Sequence, residues 1–294
     1  MLLRFSLSFA IKLCAFLNPS MGLNIYKRDP SADWRFFTHL PDGRALVSCH
    51  ARNAVIVVNS AGDEVERLDA EFSKPEGIAV QSNGNILVVD RFNHAIRVFD
   101  RDLKQLRSIV TEFQEPGRLN QPVGIAVNPS DDSIWVADNE NHRVLHLDSR
   151  GVFISTLGKG YGYEPGYMFC PCGVALFTHL HHGVLIIVSE WGGGRVQVFR
   201  ADGSVFGVYG GVCHAHHVVV DAEGYIYVSE YATRKIKKFS LDGDLVGDGP
   251  WGVSAVSLVA GGTGVETVVT QNEVVVVLDR GSRKKRRLAV SLDD

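Results

Sequence analysis

The chain has 294 residues, 45% of them hydrophobic and 21% charged, with a formal net charge of −3. That is a globular composition, long enough to bury a large core, and it excludes a polyelectrolyte that would need nucleic acid or an anionic membrane as counterpart. The cysteines (Cys14, Cys49, Cys170, Cys172 and Cys213) follow no period, so no disulfide framework is implied and reduced thiols in a cytoplasmic protein are expected.

In chain order, residues 1–30 form an apolar N-terminal segment. Arg4 precedes an apolar run to Leu17 that Lys12 interrupts. It reads either as a weak signal-like run or as a strand that closes the domain, and it is too short and interrupted to span a membrane as a helix. From residue 31 to 282 one pattern repeats: a short β run, an acidic stop, a loop, a second β run and a turn glycine. The stop falls at Asp90, Asp138, Glu190 and Glu230, with Cys49 in the equivalent place, at intervals of 41, 48, 52 and 40 residues. Thirteen residues after a stop lie Gly62, Gly151, Gly203 and Gly243, with Leu103 as the exception; five residues after lie Arg143, Arg195 and Lys235.

Each unit reads as four strands. The first is Gly77 to Val80, Gly124 to Val127, Gly173 to Leu176 or Val218 to Val220, small and β-branched without polar alternation, which suits a strand covered on both faces. The second is Ile86 to Val89, Ile134 to Ala137, Leu185 to Val188 or Tyr225 to Val228, and the third Ile96 to Phe99, Val144 to Leu147, Val196 to Phe199 or Ile236 to Phe239. Asp-Gly at 202–203 and 242–243 marks a hairpin into the fourth. One four-stranded unit every 40–50 residues is the signature of a β-propeller blade. No helical periodicity stands out.

Asn93-His94 and Asn141-His142, each between an acid-ended strand and a β-branched strand, resemble the NHL-repeat family, in particular the NHL domain of tripartite-motif NHL proteins. The resemblance implies an all-β, six-bladed propeller in one domain. Its sixth blade is degenerate: residues 249–282 offer only Gly252-Val253 and the run Asn272 to Asp279, with Thr270 where an acidic stop would stand. Residues 283–294 are a tail, basic at Arg283 to Arg287 and then acidic.

The acidic stops and the base five places on (Asp138 with Arg143, Glu190 with Arg195, Glu230 with Lys235) read as structural ion pairs, since catalytic groups need unlike environments and a repeated motif gives like ones. Histidines and cysteines cluster twice. Cys170, Cys172, His214, His216 and His217 precede first strands, at one end of the propeller; His179, His181 and His182 sit in a turn at the other end, so no single metal uses both groups. The lyase half of peptidylglycine α-amidating enzymes is a similar propeller that places a zinc-binding His just after the Pro leading into the first strand of three blades. The corresponding positions here hold Glu76, Val123, Cys172 and His216. Only His216 fits, with Cys172 as a weak second candidate, so no cofactor and no enzymatic activity is expected.

By strand order, the loops joining second and third strands share one face with the ends leading into first strands. They carry Arg91, Phe92, Trp191, Tyr231 and Arg234, which suit a protein partner through aromatic and Arg anchors or stacked single-stranded RNA bases. The expectation is a monomeric, non-catalytic scaffold that binds a protein through this loop face. The family resemblance adds a substrate-recruiting role in ubiquitination; RNA binding and a zinc-dependent lyase are the alternatives. A cytoplasmic location is expected, with secretion through the leading run or nuclear import through Arg283 to Arg287 as alternatives.

Overall fold

The computed structural model describes residues 33–59, 63–109, 117–233, 235–250, 255–261 and 264–270. The leading segment, Gly62, Arg234, the run Asn272 to Asp279 and the basic tail lie outside these residues.

Within them the chain is a succession of antiparallel sheets, each a meander in sequence order. The first holds β1 (Trp34–His39), β2 (Ala45–Cys49), β3 (Ala54–Val58) and β4 (Glu64–Arg67). The second holds β5 (Pro75–Val80), β6 (Ile86–Asp90), β7 (Ala95–Phe99) and β8 (Gln105–Ile109). The third holds β9 (Ile125–Val127), β10 (Ile134–Asp138), β11 (Arg143–Leu147) and β12 (Phe153–Leu157). The fourth holds β13 (Pro171–His179), β14 (Gly183–Glu190), β15 (Arg195–Arg200) and β16 (Val205–Tyr209). The fifth holds β17 (Ala215–Val220), β18 (Ile226–Glu230), β19 (Lys235–Phe239) and β20 (Leu245–Pro250), and β21 (Ala255–Gly261) pairs with β22 (Gly264–Thr270) alone. The first strands β1, β5, β9, β13, β17 and β21 touch in that order and β21 returns to β1, which is the closed wheel of a propeller. The expected six blades are thereby corrected to five. The remaining sector holds only a two-stranded sheet among the described residues.

The unbroken apolar runs have a simple cause. Successive residues of a strand point to opposite faces, and here both faces are interior. On β6, Ile86 and Val88 pack with Leu46, Val55 and Val57 of the blade before. Leu87 and Val89 pack with Ile125, Ile134 and Val136 of the blade after. The same two-sided division recurs between the third and fourth blades through Trp135, Val144, Val188 and Phe199, and between the fourth and fifth through Leu185, Ile187, Val218 and Val228.

Around the axis the backbones nearly touch. A Cβ at Gly77 would stand 2.7 Å from the carbonyl oxygen of Val123, and one at Gly124 2.3 Å from that of Cys172, so only glycine fits the first-strand crossing. Gly77 N–H donates to that same Val123 oxygen at 3.0 Å. No helix among the described residues is long and apolar enough to cross a membrane.

Candidate functional site

The loop face is held by one device repeated in the second to fifth blades, the first having Cys49 at the stop position. The acidic stop, buried at the end of the second strand, accepts the backbone N–H of a residue in the loop entering its own first strand: Asp90 from Ser73 at 2.7 Å, Asp138 from Asn120 at 2.6 Å, Glu190 from Phe169 at 2.8 Å and Glu230 from Cys213 at 2.8 Å. Asn93 and Asn141 each donate to their own stop at 2.8 Å. A base on the third strand completes the shell: Arg97 Nε to Asp90 at 2.9 Å, Arg143 Nε to Asp138 at 2.7 Å and Arg195 Nε to Glu190 at 2.9 Å. The expected pair of Glu230 with Lys235 is corrected. Lys237 Nζ lies 3.1 Å from Glu230, whereas Lys235 reaches Asp248 at 3.4 Å. Positions five and seven after the stop share a strand face, so the base can occupy either.

The histidine of each Asn-His pair sits in the left-handed region, His94 and His142 both at φ 53, a conformation His tolerates better than most side chains. From there it reaches the next blade. His94 Nδ1 accepts the N–H of Gln121 at 3.1 Å and His142 Nδ1 that of Cys170 at 3.2 Å. In the first blade Asn53, φ 47, does the same for Lys74 N–H at 3.0 Å through its side-chain oxygen. In the fourth the backbone of Gly194 accepts Val212 N–H at 3.0 Å. These bonds staple each of the first four blades to its successor and fix the loops that carry the face.

Near the axis on that face a charge cluster joins the first two blades. Glu76, fully buried, has Oε1 2.9 Å from His50 Nε2 and 3.2 Å from Arg91 Nη1. His50 Nδ1 faces Asp33 at 3.6 Å, and Arg35 binds Asp33 at 2.7 Å. Burial by itself would raise the Glu76 carboxyl; His50 beside it, with Arg35 and His216, instead holds it at about 2. Glu76 Oε2 and the Nε atoms of Arg35 and Arg91 are buried without a hydrogen-bond partner among the described residues.

Of the expected loop-face residues, Arg91 belongs to this cluster and Arg234 lies outside the described residues. Phe92 is 48% exposed, with the Arg91 guanidinium 5.6 Å from its ring centre. Trp191 stacks on His214 with centroids 4.8 Å apart and meets Tyr231 at 5.0 Å. An aromatic loop between β12 and β13, which the repeat pattern does not single out, adds Tyr161 and Tyr163, 57% and 59% exposed. Both pack edge-on against Phe169, at 4.9 and 5.6 Å, and His142 packs on Tyr161 at 5.1 Å. Its one sequence signal is the 52-residue interval from Asp138 to Glu190, the longest of the series.

The positions that would hold a lyase metal do not fit one. Val123 offers no donor, Glu76 is engaged by His50 and Arg91, and among the described residues no three His, Cys, Asp or Glu converge. Burial, followed by the nearby Glu76 charge, pushes the Cys172 thiol up, so it stays protonated and accepts from Asn139 Nδ2 at 3.4 Å. On the opposite face His179 and His182 stack at 4.6 Å.

Residues 72–99 and 119–147 match the NHL repeat family model. Curated relatives include peptidylglycine alpha-amidating monooxygenase of Rattus norvegicus, 26% identical over 52% of this chain and 17% of that protein. Protein brain tumor of Drosophila melanogaster is 28% identical over 44% of this chain and 12% of that protein. The chain thus spans a small fraction of the length of these relatives. Among solved structures, virginiamycin B lyase from Staphylococcus aureus superposes with a TM-score of 0.62 at 13% identity, covering 85% of each chain, a likeness of fold alone. Two NHL repeats are thus matched, at residues 72–99 and 119–147, and the Asn-His staple recurs in both.

Proposed function

We propose that this propeller is a non-catalytic scaffold whose loop face recognises a protein partner. The observation that carries the reading is the exposed aromatic rim, Tyr161, Tyr163 and Phe92 beside Trp191 and Tyr231, mounted on loops that the acidic stops and His staples hold rigid. Tyr and Trp on preorganised loops give large contact area at low entropic cost, the profile of binding anchors. The alternative of RNA binding has less support. The loop-face bases Arg97, Arg143, Arg195 and Lys237 are each matched by a buried carboxylate, whereas RNA affinity rests on unmatched cations. The lyase alternative draws on the amidating relatives, but the residues at the metal positions supply no ligand set for it.

The test is affinity purification of the full chain and of a Tyr161→Ser/Tyr163→Ser variant, each with and without nuclease. A discrete protein partner that survives nuclease and is lost with the variant is the expected result. Co-purification that nuclease abolishes, or that ignores the variant, overturns the reading.

A further inference from the structure

The aromatic loop between β12 and β13 is fastened through its main chain. Arg195, already paired with Glu190 at 2.9 Å, donates from its two outer nitrogens to the backbone oxygens of Tyr163 and Tyr167, the latter at 2.8 Å. Gln197 Nε2 reaches the same Tyr167 oxygen at 2.7 Å, and its Oε1 accepts Gly166 N–H at 2.9 Å. Tyr167 N–H closes a turn onto the Glu164 backbone oxygen at 3.0 Å, and Gly162 N–H donates to Met168 at 3.1 Å. None of these bonds uses the side chain of Tyr161, Tyr163 or Glu164, so the loop is held in shape while those side chains stay available.

On the seam between the third and fourth blades they form a patch that is both aromatic and acidic. The rings of Tyr161 and Tyr163 meet at 6.3 Å and 70°, and more than half of each residue is exposed. Glu164, exposed, directly follows Tyr163. Across the seam, the His142 ring packs on Tyr161 at 5.1 Å, and His142 ends the turn Asn139–Asn141 that carries the exposed Glu140. Among the described residues no ion pair joins Glu140 or Glu164 to a base. The bases beneath are taken: Arg143 pairs with Asp138, Arg195 with Glu190, and Lys159 Nζ lies 5.8 Å from the centre of the Tyr167 ring. Ring faces carry negative charge density, and the two carboxylates add full charge beside them. Such a surface is complementary to a cation.

We propose that this patch is a recognition site for a basic side chain of a protein partner, an arginine above all, laid on Tyr161 and Tyr163 and paired with Glu164 and Glu140. This rests on the protein-binding reading above and names the chemistry of the partner. Arginine is preferred to lysine because a planar guanidinium stacks on a ring and meets a carboxylate through two N–H groups at once. A phosphate or an acidic segment meets like charge here, so the patch that welcomes a basic peptide disfavours RNA.

The experiment pans a random dodecapeptide display library on the full chain, then measures a selected peptide by fluorescence polarisation. Selected sequences are enriched in Arg, then Lys, and their affinity falls as salt is added. Tyr161→Ser and Tyr163→Ser each weaken binding about two- to fivefold, the worth of one exposed cation–ring contact. A Glu140→Lys/Glu164→Lys variant weakens it by about tenfold. A charge swap separates recognition from damage to the loop: the peptide with its Arg changed to Glu binds this variant better than it binds the parent chain. Peptides that need Tyr161 and Tyr163 but carry no base, or that ignore the charge swap, overturn this site and leave the scaffold reading intact. A selection that yields no peptide also overturns the site, and the scaffold reading is then decided by its own purification test. A poly(U) probe that binds with steep salt dependence and is lost with Tyr161→Ser/Tyr163→Ser overturns both.

Discussion

At the scale of single residues, two positions show which effect dominates. Leu103 stands where the other described copies carry Gly151, Gly203 and Gly243, and it adopts their left-handed backbone at φ 66. That conformation disfavours a leucine by about 1–2 kcal/mol. Its side chain nevertheless packs into the core between the first two blades, and deleting a buried Leu side chain costs about 2–5 kcal/mol. Leu103→Gly is therefore expected to destabilise by roughly 1–3 kcal/mol in urea titration, and a gain in stability would refute the account. Glu76 governs the acid limb. Its carboxyl is depressed to about 2 in the fold from the ordinary 4.5, so the unfolded chain binds the proton first on acidification. The stabilisation is complete above pH 4.5 and drains away as pH falls through about 2. Glu76→Gln is expected to flatten that slope by up to about 1.4 kcal/mol per pH unit, and to lower neutral-pH stability by about 3–5 kcal/mol because Arg91 loses its counter-charge. Nothing in the sequence pairs Glu76 with His50, since the pair joins two blades and has no copy elsewhere among the described residues.

At the scale of the element, the blade was legible and its fastenings were only partly so. The acidic stops and the turn glycines mark strand ends because each fixes a hydrogen-bonded terminus. Lys237 in place of Lys235 escapes a five-residue rule, since a strand offers the same face at every second position. The Asn-His motif announces a loop but not that its ring spans to the next blade. His142→Gly keeps the left-handed backbone and removes only the ring; it is expected to lower stability by about 1–3 kcal/mol, the cost of leaving Cys170 N–H unpaired. His142→Ala adds backbone strain of roughly 1 kcal/mol. Equal thermal midpoints for the two variants would show that strain plays no part. Loss of the His142 ring also removes its packing on Tyr161, so co-purification of the protein partner should weaken with it.

At the scale of the whole molecule, the wheel follows from the period alone, while the sixth sector does not. Four-strand counting predicts another blade, yet only β21 and β22 stand there among the described residues, between β17 and β1. In the described blades the second strands are paired on both sides and largely buried, whereas the fourth strands β8 and β12 stand at a sheet edge and are mostly exposed, so opening should begin there. Hydrogen exchange is expected to be faster in β8 and β12 than in the second strands β6, β10 and β14; equal protection across a blade would contradict it.

The glycine crossings at the axis carry a consequence for how such a protein can diversify. Main chain pressed against main chain at Gly77 and Gly124 leaves the hub no room for a side chain, so variation is confined to the two rims. The histidine-bearing hairpin after β13 and the aromatic rim opposite it are thus free to acquire separate tasks, like two tools mounted on one handle.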